Sequence, residues 1–200
     1  MMINNPENKY LELGKDYFTD EYYNEYFGGN YLEETKDYSC PTASDIKYLM
    51  EWVGEDFKSA IDFGCALGTL VKELNDDGIN CIGLEVSEYA VKNAVSEKVY
   101  RDTYENITSY IELPVDLIIA SYSIEHFSYK DLEEFLKWSS KNCRYMFVSV
   151  YYYNLINKDD EVFEVIPIKE GCRWWINKLS EYFDVLFTDK MIVCKSNYLK

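Results

Sequence analysis

From residue 59 onward the apolar residues follow two alternating rhythms. Short dense runs, "SAIDF", "NCIGLEV", "KVYRD", "VDLIIASY" and "RYMFVSVYY", have the length and β-branched or aromatic content of buried strands. Between them, "TLVKELNDDG", "SEYAVKNAVSE" and "DLEEFLKWSSKN" space their apolar residues three or four apart, the period of a helix with one buried face. Strands alternating with helices predict an α/β domain with a mainly parallel sheet, and right-handed crossovers put helices on both faces.

The flanks differ from this core. "IKYLMEWVGEDF" places Ile46, Leu49, Met50 and Val53 on one helical face, with Ser44 or Asp45 available as cap. Before it, residues 1–43 are rich in tyrosine and acid, and Tyr22, Tyr23, Tyr26 and Phe27 at helical spacing predict a helical cap or arm, ending near Gly28 and Gly29. The division expected is therefore an arm at 1–43 and a core domain at 44–200. Near the other end, "GCRWWINKLSEYF" predicts a helix, and "FDVLFTDKMIVCKS" predicts a hairpin turning around Thr188, Asp189 and Lys190.

Charge narrows the choice of partners. With 36 acidic against 20 basic residues the net charge is −16, a surface that repels phosphate backbones, so bulk nucleic-acid binding is not expected. No apolar run approaches the roughly 20 residues of a membrane span. The first residues lack a basic head followed by an apolar stretch, so the expected location is the cytoplasm. Cys40, Cys65, Cys81, Cys143, Cys172 and Cys194 form no CxxC pair and sit mostly in apolar stretches, which reads as buried reduced thiols. One histidine, His126, leaves no His-rich metal centre, and no metal site is expected.

In a parallel sheet the chemistry collects beyond the carboxyl ends of the strands. After the first predicted strand come Asp62, Gly64, Ala66 and Gly68; after the second, Glu85; after the third, Asp102; after the fourth, Ser121 to His126. A dinucleotide loop, G-x-G-x-x-G, fails at two of three positions when started at Gly64. The frame D-x-G-x-G-x-G fits with Ala66 in place of one glycine, and Glu85 at the next strand end suits a pair of ribose hydroxyls. A nucleoside cofactor without phosphates is the reading that follows. Alanine at position 66 predicts an ordinary negative φ there, because a left-handed alanine costs about 1 kcal/mol.

"AIDFGCALG", "CIGLEVSEYAVKNA" and "DLIIASYSIEHF", in that order and spacing, resemble the class I S-adenosylmethionine-dependent methyltransferases of small-molecule type, over roughly residues 59–150. The resemblance implies a Rossmann-like seven-stranded sheet whose last strand is antiparallel, in agreement with the terminal hairpin. It also implies S-adenosylmethionine as cofactor, with S-adenosylhomocysteine as product. Asp62 and the loop Gly64, Cys65, Ala66, Gly68 would hold its methionine part, Glu85 with Val86 the ribose, Asp102 with Thr103 the adenine edge, and Ser121 the channel near sulfur.

The family builds its acceptor site from the N-terminal extension and from the stretch after the fifth strand. Here these supply Tyr22, Tyr26, Tyr151, Tyr152 and Arg173, joined by Tyr122 after the fourth strand, aromatic walls suited to a planar or sugar-like acceptor. Trp174 and Trp175, in step with Leu179, read equally well as core, and Arg173 as a partner of the surrounding acids. His126 is the natural proton acceptor at neutral pH if the acceptor is a hydroxyl; the alternative is a structural histidine that caps the next helix or bonds a loop carbonyl. No N-P-P-[FY] follows the fourth strand, where the sequence reads Ala120-Ser121-Tyr122-Ser123. That absence argues against methylation of base amines. The expected activity is O-methylation of a small molecule or glycan intermediate by in-line transfer, in a chain compatible with a homodimer. A nucleotide-dependent oxidoreductase and a non-catalytic partner subunit remain the alternatives.

Overall fold

The computed structural model describes residues 17–23, 41–152, 166–188 and 192–199. The chain divides into two compact units, Met1–Glu112 and Leu113–Lys200. The described residues form seven strands in the order β3-β2-β1-β4-β5-β7-β6.

In the first unit, helix α1 (Ala43–Val53) precedes β1 (Ser59–Phe63), α2 (Thr69–Asp76), β2 (Asn80–Glu85), α3 (Glu88–Lys92) and β3 (Val99–Arg101). The three strands are parallel, Asp62 standing opposite Gly83 and Glu85 opposite Arg101. Burial follows the expected pattern: Ala60, Ile61, Cys81, Ile82 and Leu84 are all inside. Gly83 is a packing requirement, because a Cβ there would lie 2.4 Å from Cys65 Sγ and 2.9 Å from Val71 Cγ2.

The cap of α1 corrects the sequence expectation. Thr42, and neither Ser44 nor Asp45, is the N-cap; its hydroxyl accepts from the Asp45 N–H while the Asp45 carboxylate accepts from the Thr42 N–H at 2.8 Å. Asp45 thus completes a capping box three residues in, which satisfies two backbone donors that a lone cap would leave open. Ile46 and Leu49 are buried as expected, while Met50 and Val53 are only half-buried. Helix α3 is shorter than its periodic stretch: the chain leaves it at Asn93, and the Val95 N–H instead donates to the Leu67 carbonyl at 2.8 Å.

The second unit carries β4 (Val115–Ser121), α4 (Tyr129–Asn142), β5 (Cys143–Ser149), α5 (Cys172–Ser180), β6 (Phe183–Thr188) and β7 (Ile192–Ser196). β4 and β5 are parallel, whereas β7 is antiparallel to both β5 and β6. The last strand is the reversed one, as the hairpin pattern required. Cys65, Cys81, Cys143 and Cys194 are buried free thiols, with Cys172 half-buried. Trp175 and Leu179 are fully buried on α5, so this helix packs its aromatic face as core.

Candidate functional site

The turn from β1 to α2 is built around Glu85. Its Oε1 accepts from the N–H groups of Val86 at 2.8 Å and Ser87 at 2.9 Å, and its Oε2 accepts from the Ala66 N–H at 2.8 Å. Three backbone donors thereby converge on one carboxylate at the end of β2. The loop is further pinned by Gly64 N–H to the Leu84 carbonyl and Gly68 N–H to the Cys65 carbonyl. Burial raises the Glu85 carboxyl, and the hydrogen bonds from Ser87, Ala66 and Val86 oppose that rise.

Three loop residues have positive φ: Gly64 at +75°, Ala66 at +48° and Gly68 at +73°. Ala66 therefore overturns the ordinary backbone angle expected from its side chain. Its left-handed conformation aims the N–H at Glu85, and the resulting hydrogen bond to a carboxyl offsets the steric cost of a Cβ in that region. Gly68 is required twice over, because a Cβ there would also lie 2.4 Å from Val99 Cγ2. The Cys65 side chain is turned against Gly83, and its Sγ donates to the Ala66 carbonyl at 3.9 Å.

Asp62, at the end of β1, is 6% exposed, and burial followed by the charge of Glu85 pushes its carboxyl up to about 7. Asp102, after β3, is largely committed within the chain. Its Oδ1 accepts from the Thr103 N–H and Asn106 Nδ2, each at 2.8 Å, and its Oδ2 from the Tyr110 hydroxyl at 2.7 Å. Burial works to raise this carboxyl, but those three donors hold it below the usual carboxylate range. Tyr110 also stacks on Tyr100 with ring centroids 4.1 Å apart. Sequence reading missed both Asn106, which lies on a 3-10 turn, Tyr104–Ser109, that no periodicity announces, and Tyr110, which caps the end of that turn. It also missed Arg101, whose Nε donates to the Val86 carbonyl at 3.2 Å.

Residues 17–23 of the tyrosine-rich segment pack here too. Tyr23, Leu67 and Ala90 form a buried cluster joined by Phe18, Tyr22 and Tyr89, and the Ser87 hydroxyl donates to the Phe18 carbonyl at 2.5 Å. Tyr22 is half-buried, its ring 5.0 Å from Phe18 and 5.1 Å from Tyr23. Tyr26 lies outside the described residues.

In the second unit, chemistry gathers where β4 and β5 end. Ser121 pairs in register with Ser149. Tyr122 has φ +50°, and its N–H donates to the Ser149 carbonyl at 2.7 Å. Its ring lies 4.6 Å from that of Tyr151, and both residues are 38% exposed. Tyr152 is buried at 7% exposure, and Arg173 is exposed on α5. His126 is half-buried on a 3-10 turn, Ile124–His126, its N–H donating to the Ser123 carbonyl at 3.2 Å.

The residue next to it, Glu125, escaped sequence reading although it is wholly buried. Burial pushes its carboxyl up to about 8, and backbone N–H donors including Tyr151 oppose that rise. Nothing local in "SIEHF" signals this, because the burial comes from segments distant in the chain. Among the described residues no group of three or more His, Cys, Asp or Glu could hold a metal ion.

A methyltransferase domain family matches residues 34–177, most of the chain. The chain belongs to this methyltransferase family. No curated protein matches it. Among solved structures, the plantazolicin methyltransferase BpumL in complex with SAH aligns at TM-score 0.65 and 14% identity, over 87% of this chain and 74% of that one. The plantazolicin methyltransferase BamL, crystallised with a triazolic desmethylPZN analog and SAH, gives 0.58 and 15%, over 75% of this chain. This chain spans 63% of the length of BamL. A protein of Pyrococcus horikoshii gives 0.60 and 13%, over 88% of this chain and 96% of its own. At these identities the likeness to the three structures is one of fold.

Proposed function

We propose that this methyltransferase takes its methyl group from S-adenosylmethionine and transfers it in line to a hydroxyl of a neutral, ring-bearing small molecule or glycan intermediate. The observation that carries the cofactor reading is the pair Asp62 and Glu85, buried carboxyls at the ends of adjacent parallel strands with the Gly64–Gly68 loop between them. Carboxylate oxygens accept hydrogen bonds, so the pair suits a ligand presenting hydroxyl and ammonium donors and repels a pyrophosphate. Glu85 and Val86 would meet the ribose, Asp62 and the loop of Gly64, Cys65, Ala66 and Gly68 the methionine part, Asp102 and Thr103 the adenine edge, and Ser121 the region near sulfur. When bound, the sulfonium supplies the activated methyl group.

The protein's own contribution is alignment, exclusion of water and custody of one proton. His126 is the residue for that proton, since a hydroxyl acceptor must lose one and an unperturbed imidazole titrates near neutrality. Tyr122 and Tyr151 offer the acceptor two contiguous rings, and their neutrality favours an uncharged partner over an anion in a chain of net charge −16. Arg173, Tyr152, Tyr22 and Tyr26 complete the acceptor set we propose, although the burial of Tyr152 restricts it to an indirect role. The cytoplasm is the location that fits free thiols at Cys65, Cys81, Cys143 and Cys194.

Titration calorimetry with S-adenosylhomocysteine and, separately, NAD tests the cofactor. Binding of the former alone is expected; binding of NAD without it would replace this reading by the oxidoreductase alternative. Incubation with methyl-labelled S-adenosylmethionine and a metabolite extract, followed by NMR of the labelled product, tests whether the methyl sits on oxygen. Absence of any product in the presence of bound cofactor would favour the non-catalytic partner subunit.

A further inference from the structure

Glu125 joins two stretches of chain that are far apart in sequence. Its Oε1 accepts from the N–H of Tyr151, just beyond β5, at 3.3 Å, and its main-chain carbonyl accepts from the N–H of Ile168 at 3.3 Å. Its Oε2 is buried and has no hydrogen-bond partner among the described residues. A carboxylate sealed in this way would be costly, and the uncharged acid costs much less, so burial favours the uncharged form with Oε1 kept as an acceptor. Among the described residues, backbone hydrogen bonds and no charged group oppose the burial. The neighbouring titratable residues are His126 on the turn, Tyr151 at the exit of β5, and Lys169 and Glu170 beside Ile168; Glu170 in turn accepts from the Tyr129 hydroxyl at 3.0 Å.

The consequence falls on the tyrosine pair. Tyr122 is tied by its backbone to Ser149, Tyr151 is tied by its backbone to Glu125, and the two rings meet at 4.6 Å. Exposed tyrosines ordinarily keep their rotamer freedom, and ordering them on binding costs affinity. Here each main chain is fixed from beneath by a buried group.

We propose that Glu125 is a positioning residue for the acceptor: by fixing the chain at Tyr151 and at Ile168 it presents the Tyr122 and Tyr151 rings as a preorganised platform for a neutral aromatic ring. This rests on the reading of the tyrosine pair as an acceptor surface.

The test uses the full chain labelled with 15N-tyrosine, the Tyr151 amide being assigned by its loss in Tyr151→Phe. Hydrogen exchange at that amide is expected to accelerate about tenfold in Glu125→Ala, the loss of roughly one hydrogen bond, and to stay at the wild-type rate in Glu125→Gln, whose amide oxygen still accepts. In the wild type the amide resonance is expected to titrate with a midpoint near 8 as Glu125 ionises, and to be flat in Glu125→Gln. Millimolar phenol, the ring probe, is expected to shift the Tyr151 resonance in the wild type and in Glu125→Gln, and not in Glu125→Ala. Equal exchange in all three proteins, or a titration unchanged in Glu125→Gln, overturns the positioning role. No phenol shift in the wild type overturns the platform. If Glu125→Ala does not fold, the titration and phenol arms with Glu125→Gln decide alone. S-adenosylhomocysteine affinity, measured in parallel, is expected to be equal in all variants that fold; its absence from the wild type overturns the cofactor reading and leaves the amide results standing.

Discussion

The backbone N–H of Ala66 donates to Glu85 Oε2 at 2.8 Å, and it does so from a left-handed φ of +48°. A residue with a Cβ holds a conformation that glycine adopts freely, and the carboxyl at the end of the next strand is what keeps it there. The cost and the compensation meet in one hydrogen bond.

Substitutions at Ala66 should follow from that balance. Ala66→Gly relieves the steric cost and adds backbone freedom to the unfolded chain, so the two effects cancel to within about 1 kcal/mol. Ala66→Val, β-branched in the same φ region, is expected to lose roughly 1–3 kcal/mol in urea unfolding. A valine variant as stable as wild type would show that the loop does not hold this angle in solution.

Glu85→Gln is a sharper probe than its size suggests. Donors approach both carboxyl oxygens, so the amide nitrogen must face either Ala66 N–H or the N–H pair of Val86 and Ser87. Leaving a buried donor without an acceptor costs about 1–3 kcal/mol. We expect that loss of stability together with weaker S-adenosylhomocysteine binding by calorimetry; an unchanged protein would remove Glu85 from both roles.

Gly68 and Gly78 separate space from dihedral strain. Both have positive φ, but a Cβ at Gly78 meets nothing within 4 Å, whereas one at Gly68 meets Val99 Cγ2 at 2.4 Å. Gly78→Ala is expected to cost about 1 kcal/mol, and Gly68→Ala at least about 2 kcal/mol. Thermal unfolding of the two variants side by side checks the order, and the reverse order would be inconsistent with the packing of β3 on the loop.

The buried acids give stability a pH dependence of defined sign. Asp62 is raised from 3.8 to about 7 and Glu125 from 4.5 to about 8, so each binds its proton more tightly folded than unfolded. Their contribution is complete below the unfolded values, 3.8 for Asp62 and 4.5 for Glu125, and declines as pH rises, until about 7 for Asp62 and about 8 for Glu125. Urea midpoints at fixed ionic strength should therefore fall between pH 5 and pH 8.5. Asp62→Asn should flatten the lower part of that fall and Glu125→Gln the upper part; a variant with the wild-type slope would mean that its carboxyl is ionised in the folded state.

His126→Ala should lower methyl transfer far more than it weakens S-adenosylhomocysteine binding, with a drop of roughly 100-fold or more if the imidazole takes the acceptor proton. Labelled methyl transfer at saturating cofactor measures it. A rate within twofold of wild type would leave His126 with only its structural place on the turn.

Much of the fold was readable along the chain because its signals are local. Strands such as "VDLIIASY" are apolar runs, α4 repeats its buried Leu132, Phe135 and Leu136 at helical spacing, and the reversed β7 follows from a hairpin between two short strands. The ends of β1 and β2 were legible for the same reason: Asp62, Gly64, Gly68 and Glu85 stand at fixed offsets from those runs, and their side chains name the chemistry of the turn. Thr42 was a local signal too, in "TASD", where the threonine and the aspartate three residues later form the capping box.

Other features arise only when distant segments meet. The φ of Ala66 depends on Glu85, which reaches it only when β1 and β2 pair, and alanine itself favours the opposite sign. The burial of Glu125 depends on Tyr151 and Ile168, brought to it by the exit of β5 and the returning chain, so no window around "SIEHF" contains the cause. Local patterning along the chain places particular groups at the ends of the strands. Only the folded chain decided which donors those groups meet and how far they are removed from water, because hydrogen bonding and desolvation are properties of neighbours in space.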